Sequence, residues 1–305
     1  MRAPSFIPPV AARLFCGALG CRSLARPLRA RRMGSSTLRL LRIFLYLAAT
    51  LPLMPVQALL LLFGGRLAER LPLFYHRCCC RILGFRVRRL GAPSELRPAL
   101  FVANHVSYTD IMILGSLIAG SFVAKDEVAR WPLFGLLARL QRTLFVDRRM
   151  LSSARQRAVL AERLGKGEAL ILFAEGTSGD GNRVLPFKSA LLGAAEKGGG
   201  ILVQPVSLAY TRLDGVPISR FYRPLFAWYG AMELLPHMWE MIGLGRVEVV
   251  VEFHPPTSLA AFASRKALTL YCRERIAGGV AAALSGRPQP APEPPALPAP
   301  AAAAG

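Results

Sequence analysis

The hydrophobic and polar positions change rhythm along the chain. Residues 43–63, IFLYLAATLPLMPVQALLLLF, form an uncharged run of 21. As a helix this run is about 31 Å long, enough to cross a hydrocarbon core. Pro52 and Pro55 sit inside it and predict a kink, so a straight span and a bent helix dipping into one leaflet both remain open. Over 66–82, Leu67, Leu71, Leu73, Phe74 and Cys78–Cys80 alternate with arginines, the pattern of a basic amphipathic helix in the headgroup plane. From about residue 84, short apolar runs alternate with stretches of helical period. Strands are predicted over 85–89, 98–103, 121–124, 143–146, 168–174, 201–209 and 246–253, and helices over 109–118, 132–140, 150–164, 188–196, 233–242 and 258–283. This alternation predicts an α/β fold, a mostly parallel or mixed central sheet flanked by helices, with an N-terminal two-helix membrane-associated motif. EALILFA and ILVQPVSLAY are apolar on both faces, as central strands are. Pro205 inside the second predicts an edge or a bulge.

The two ends differ from this pattern. Residues 1–42 hold nine Arg and no acid, so a basic arm, a transit peptide and an over-long start with translation from Met33 are all open. Residues 286–305 are Pro/Ala-rich and predict a solvated tail. The expected organisation is a basic, disordered extension over 1–35, membrane-embedded or interfacial helices over 36–82, a catalytic domain over 83–285, and a disordered tail over 286–305.

Charge sharpens this picture. The 305 residues carry 39 Lys+Arg against 18 Asp+Glu, a net +21. Residues 1–100 contribute 17 Arg and 2 Glu, so +15 of that total is concentrated there. A basic segment beside an apolar one suits anionic lipid headgroups. Nucleic acid is not expected as a partner, because no basic stripe interleaved with aromatics is present. Arginines flank both ends of the apolar run (Arg39, Arg42, Arg66, Arg70), which favours entry from the cytoplasmic side. The six cysteines show neither a CxxC pair nor a framework spacing, so zinc and a disulfide scaffold are not expected.

Several chemistries are absent by motif. There is no G-x-S-x-G elbow, no H-E-x-x-H, no P-loop and no G-x-G-x-x-G after a strand. What remains lies at strand ends. In FVANHVSYTD, His105 follows an apolar strand and Asp110 comes five residues later. The two would point apart within one helix. They meet if His105 occupies the turn and Asp110 the first helical turn, with Ser107 as N-cap. A carboxylate that fixes the imidazole tautomer leaves the other ring nitrogen free to accept a proton from a hydroxyl. The alternative is that Asp110 only caps the helix. In LFAEGTSGDGNRVLPFKSALLGAA, a strand runs through Glu175, Gly176 and Thr177 into a Gly-rich loop, with Arg183 and Lys188 before a helix, a candidate anion site. RTLFVDRR places Arg142, Arg148 and Arg149 around another strand.

Taken in order, these stretches resemble the lysophosphatidate (1-acyl-sn-glycerol-3-phosphate) acyltransferase family. NHVSYTD matches its H-x4-D motif, TLFVDRR its second motif, FAEGT its F-P-E-G-T motif and VQPV its proline-containing fourth motif, within residues 40–275. The resemblance implies a general base at His105 and its orienting partner at Asp110. It implies headgroup or geometry-holding positions at Arg148, Glu175, Gly176 and Thr177. It implies direct transfer of a fatty acyl chain from acyl carrier protein or CoA to the free hydroxyl of a lysolipid, giving phosphatidate, with no cofactor. Membrane lipid is then a partner, and the location implied is the cytoplasmic face of the bacterial inner membrane. Three positions depart from the family pattern. Ala174 replaces the usual Pro, Arg142 a common Gly, and Ser178 an Arg that would bind the acceptor phosphate. Arg142, Arg183 and Lys188 are the candidates to replace that Arg. EGTSGDGNRVLPFKS looks more like the branch of lyso-ornithine lipid O-acyltransferases, so that acceptor, or both acceptors, is the alternative. A non-catalytic basic membrane-surface protein and a hydrolase are the remoter ones.

Overall fold

The apolar run belongs to one helix, α1 (Ser36–Phe63), in a computed structural model that describes residues 34–146, 154–196 and 201–287. Ser35 caps it, its side chain accepting from the Leu38 N–H at 3.3 Å. The helix runs on through Pro52 and Pro55 rather than ending at either. Gly64 and Gly65, both at positive φ, turn the chain into α2 (Arg66–Leu83), a conformation glycine reaches without strain. The two helices form an antiparallel hairpin, tied by Thr50 Oγ1 to the Tyr75 hydroxyl at 2.9 Å and by the Gln57 amide to the Ala68 carbonyl at 2.9 Å. α2 buries Ala68, His76, Cys79 and Cys80, one stripe at helical spacing. α1 has the length and composition to cross a membrane, and only 11% of its apolar window is buried in the structure. It is therefore not an ordinary core helix.

The catalytic part is a nine-stranded mixed sheet. Its strands are β1 (Phe85–Leu90), β2 (Ala99–Ala103), β3 (Ser121–Lys125), β4 (Leu144–Val146), β5 (Ala169–Phe173), β6 (Leu202–Leu213), β7 (Val216–Pro217), β8 (Val247–Phe253) and β9 (Thr257–Ser258). The order is β1-β8-β6-β2-β5-β3-β4, with β7 and β9 paired to β6. β2 lies parallel to both β5 and β6, while β8 lies antiparallel to β6. β2 and β5 are buried at every position. Phe101, Ile171 and Phe173 face α2 and the short helix α3 (Thr109–Gly115), whereas Leu100, Val102, Leu170 and Leu172 face α5 (Ala154–Gly165) and α7 (Arg265–Ser285). α4 (Phe134–Leu140) and α6 (Leu234–Ile242) complete the helices.

Three local expectations need correction. The predicted helix 188–196 is a 3-10 stretch, Ser189–Glu196. The helix predicted from 258 begins only at Arg265, after β9 and a short turn. Pro205 is neither at an edge nor in a bulge: it lies in β6 between two ladders, since β9 pairs at Leu202–Val203 and β8 from Val206 onward. A missing N–H costs nothing in that gap, and the Pro205 carbonyl still accepts from His254 N at 3.0 Å. The β-bulge falls instead between Tyr210 and Arg212. Arg148, residues 1–33 and the tail beyond 287 lie outside the described residues.

Two buried arginines join α1 to the catalytic part. Arg39 donates to the Trp239 carbonyl at 2.8 Å and to Glu240 Oε2 at 2.9 Å. Arg42 donates to the carbonyls of Ile242, Leu244 and Gly245 at 2.9, 2.5 and 3.3 Å. The Trp239 and Ile242 carbonyls lie in the last turn of α6 and those of Leu244 and Gly245 just beyond it, where helix geometry leaves acceptors unpaired and a cation is favoured. Arg42→Leu should therefore destabilise the protein by roughly 2–4 kcal/mol, because buried carbonyls lose their donor. Thermal unfolding in detergent, with exposed Arg66→Leu as control, checks this, and equal midpoints for the two variants would refute the anchor.

Candidate active site

Asp110 lies in the first turn of α3 and is fully buried. One carboxylate oxygen, Oδ2, accepts from His105 Nδ1 at 2.8 Å, Val106 N at 2.6 Å and Ser107 N at 2.9 Å. The other, Oδ1, accepts from the Tyr210 hydroxyl at 2.7 Å. Thr109 Oγ1 in turn lies 2.6 Å from that hydroxyl. A buried carboxylate is costly unless its lone pairs are filled, and here four donors fill them. The expected Ser107 cap does not form. Tyr108 holds the N-cap position without a side-chain bond, and Asp110 reaches back to cap the turn itself.

His105 follows β2 and stacks on Phe173 at the end of β5, with ring centroids 4.0 Å apart. Its side chain is 15% exposed against none for Asp110. With Nδ1–H directed at the carboxylate, Nε2 carries the free lone pair on the only accessible part of the pair. The turn is held from a third side by Asn104, whose amide donates to the Leu208 carbonyl at 2.9 Å and whose oxygen accepts from Leu208 N at 2.8 Å.

Glu175, in the turn after β5, is also buried. Its two oxygens accept from His105 N at 2.8 Å and Leu185 N at 3.0 Å. Burial pushes its carboxyl up to about 7, a shift that the two backbone donors only partly offset and the Asp110 charge adds to. Glu175 thus fixes the backbone of the histidine and the far end of the Gly-rich loop together. Ala174 N–H donates to the Ala103 carbonyl at 3.3 Å, a bond that a proline there could not make.

The other predicted positions divide. Gly176, at φ +70, is buried beneath Lys188; a Cβ there would meet that side chain at 3.0–3.2 Å. Thr177 and Arg183 are exposed. The Gly-rich loop is not an open nest of N–H groups: those of Gly176, Gly179 and Lys188 donate to the carbonyls of Phe173, His105 and Ala174, and that of Asn182 to Asp180. Arg142 stands at φ +59, a conformation that favours glycine, and its guanidinium pairs with Glu69 of α2 at 3.2 Å. Ser178 donates to the Trp228 carbonyl.

That contact leads to a segment the sequence did not single out. Trp228 N–H donates to the Val106 carbonyl at 2.9 Å, which places residues 219–228 beside the His105 turn. From it Arg223 donates to Asn182 Oδ1 at 3.2 Å, while its Nε is buried without a partner. No carboxylate among the described residues lies within ion-pair distance of Arg223; Arg220 adds a like charge nearby, and the more distant Asp180 partly offsets it. Neither Arg223 nor Tyr210 has a sequence signal of its own, since Tyr210 meets Asp110 across 100 residues and Arg223 meets Asn182 across 41.

An apolar cavity of about 620 Å³ lies beside α3, lined by neighbours of Asp110 and not by the pair itself. Tyr108, Thr109 and Met112 of the Asp110 segment line it, opposite Leu47 and Met54 of α1 and Met238 of α6.

Comparison with known proteins places this arrangement. A family model described as Acyltransferase matches residues 85–209, which span β1 to most of β6. A lyso-ornithine lipid O-acyltransferase of Brucella abortus is 44% identical over 261 residues, 82% of this chain and 98% of its own. A second protein of that name, from Rhizobium meliloti, is 40% identical, over 80% of this chain and 86% of its own. The crystal structure of the 1-acyl-sn-glycerophosphate acyltransferase PlsC of Thermotoga maritima superposes with a TM-score of 0.58 at 25% identity, covering 82% of this chain and 97% of that one. With H-x4-D and E-G-T closing on one buried carboxylate network, and relatives matched over nearly their whole length, this chain belongs to the acyltransferase family.

Proposed function

We propose that the protein transfers a fatty acyl chain from an acyl thioester to the free hydroxyl of lyso-ornithine lipid, acting at the cytoplasmic face of the bacterial inner membrane. The observation that carries the choice of acceptor is the 44% identity over 98% of a relative bearing that name. Ser178 agrees with it, standing where an acceptor-phosphate arginine is expected. Lysophosphatidate, the first expectation from the motifs, becomes the second acceptor, supported by the likeness to the Thermotoga maritima enzyme.

The chemistry follows from the pair. His105 Nε2 takes the proton of the acceptor hydroxyl as its oxygen attacks the thioester carbonyl. Asp110 holds the imidazole and stabilises the imidazolium that forms. Collapse of the tetrahedral intermediate breaks the C–S bond, and the proton passes from His105 to the departing thiolate of CoA or acyl carrier protein. The thioester supplies the driving force, so no resident cofactor takes part. The cavity beside α3 is of the size and apolar character that takes a long chain. Arg223, without a carboxylate at ion-pair distance and beside the Gly-rich loop, binds the anionic group of the acceptor, with Arg183 and Lys188 at the loop's rim. Glu175 and Gly176 position the loop; Arg148, a headgroup position by the resemblance, lies outside the described residues.

His105→Ala should lower turnover by roughly two to four decades without loss of folding, the usual size of a general-base effect. A labelled acyl thioester offered with lyso-ornithine lipid and lysophosphatidate in parallel checks both chemistry and acceptor; near-wild-type product from the variant would overturn the role of His105. Arg223→Gln should raise KM for the acceptor by about tenfold or more while leaving kcat within a few-fold, as expected for lost ground-state binding. An unchanged KM would remove Arg223 from the acceptor site.

The raised carboxyl of Glu175 makes stability depend on pH. A folded pKa of about 7 lies above the ordinary 4.5, so the fold favours the protonated form. Its contribution is complete below about pH 4.5 and is lost as pH rises through about 7, by at most about 3 kcal/mol. Thermal midpoints measured from pH 4.5 to 8 should fall for the native protein and flatten in Glu175→Gln; parallel curves would mean that Glu175 titrates normally.

A further inference from the structure

Another apolar surface lies outside the α1–α2 hairpin. In the segment before α6, Phe221 and Tyr222 are 83% and 51% exposed. In α6, Leu235 is 66% and Trp239 38% exposed. Exposed apolar side chains are ordinary when single, but large ones side by side, as Phe221 and Tyr222 are, mark a contact surface. Its composition is informative: aromatic rings beside an exposed arginine, Arg220, are the residues enriched where water meets hydrocarbon.

The surface is continuous with α1. Arg39 and Arg42 clamp the first turns of α1 to the end of α6, and those same turns expose Leu40, Leu41 and Phe44. Leu235 and Trp239 also line the 620 Å³ cavity, across from Ile43 and Leu47 of α1. The cavity therefore lies between two helices that both carry apolar side chains outward. Water at that mouth would have to be displaced each time a chain entered, whereas lipid there would be continuous with the cavity.

We propose that residues 220–239 are a second membrane-contacting element, seated in the interfacial layer of an anionic bilayer, so that with α1 they flank the cavity and open it to lipid. The contact is independent of the acyl-transfer chemistry; the cavity's use for an acyl chain rests on the function proposed above.

Trp239 is a built-in reporter. The full chain would be reconstituted into phosphatidylglycerol/phosphatidylethanolamine vesicles, and its tryptophan emission compared with that of Trp239→Phe. The component lost in the variant should be quenched by lipids brominated near the headgroup end of the chain and protected from aqueous iodide. Quenching by iodide and not by bromolipid would overturn the proposal. A second test uses the double variant Phe221→Ser, Tyr222→Ser, which removes the apolar rings without adding charge beside Arg223. Acyl transfer to acceptor embedded in vesicles should fall at least tenfold, while transfer to acceptor dispersed in detergent micelles stays within twofold. Equal rates in both settings would overturn it, and equal loss in both would mean that the residues support the fold instead. If the unaltered chain transfers nothing in micelles, the acyl-transfer function fails, and the quenching result still decides the membrane contact.

Discussion

The buried Asp110 carboxylate is the constraint around which the site is organised. A charge removed from water must be met by donors, and these come from three places at once: the backbone of the β2–α3 turn, the His105 ring and the Tyr210 hydroxyl. Tyr210 reaches it only because β6 continues well past the end of β2, where Ala103 pairs with Val206. A slip of one residue in β6 would send Tyr210 to the opposite face. The Asn104 clamp on Leu208 holds that register. Histidine orientation, turn conformation and sheet pairing are thus three consequences of satisfying one carboxylate.

A second buried carboxylate, only a strand away, has a different task. Asp110 receives the His105 ring N–H and a hydroxyl besides two backbone N–H groups, whereas Glu175 receives backbone N–H groups alone. Burial dominates at Glu175 and raises its carboxyl. One group orients a reacting ring and the other ties the ends of two parallel strands, β2 and β5, to the loop that follows. Parallel neighbours end at the same side of the sheet, which is why groups so far apart in sequence can share one network.

The membrane-facing parts are joined to this sheet by polar bonds at their ends and by apolar packing between. Buried guanidinium groups of α1 terminate α6, and the space left between these helices, α2 and α4 is the apolar cavity. The arginines count here as helix-end donors, not only as attractors of anionic lipid. Net charge alone does not separate those two uses.

Much was legible from the sequence alone. Strands β2, β5 and β6 were readable because a strand buried on both faces must be apolar throughout, and α1 because hydrocarbon tolerates no charge over such a length. His105 and Asp110 were readable because NHVSYTD matches the family's H-x4-D motif; spacing alone allowed the pair to meet but left Asp110 as a mere cap equally open. What stayed hidden depends on residues distant in the chain. Pro205 looked like an interruption because the gap between two ladders is a property of neighbouring strands, not of β6. Arg142 looked like a phosphate ligand, yet its guanidinium meets Glu69 on α2. Tyr210 and Arg223 have no local pattern, since each acquires its place only from strand register and loop packing. Local periodicity set the elements, and the H-x4-D motif marked the candidate pair; which charges are paired and which meet a ligand was decided by the tertiary fold, because pairing requires contacts that no local pattern encodes.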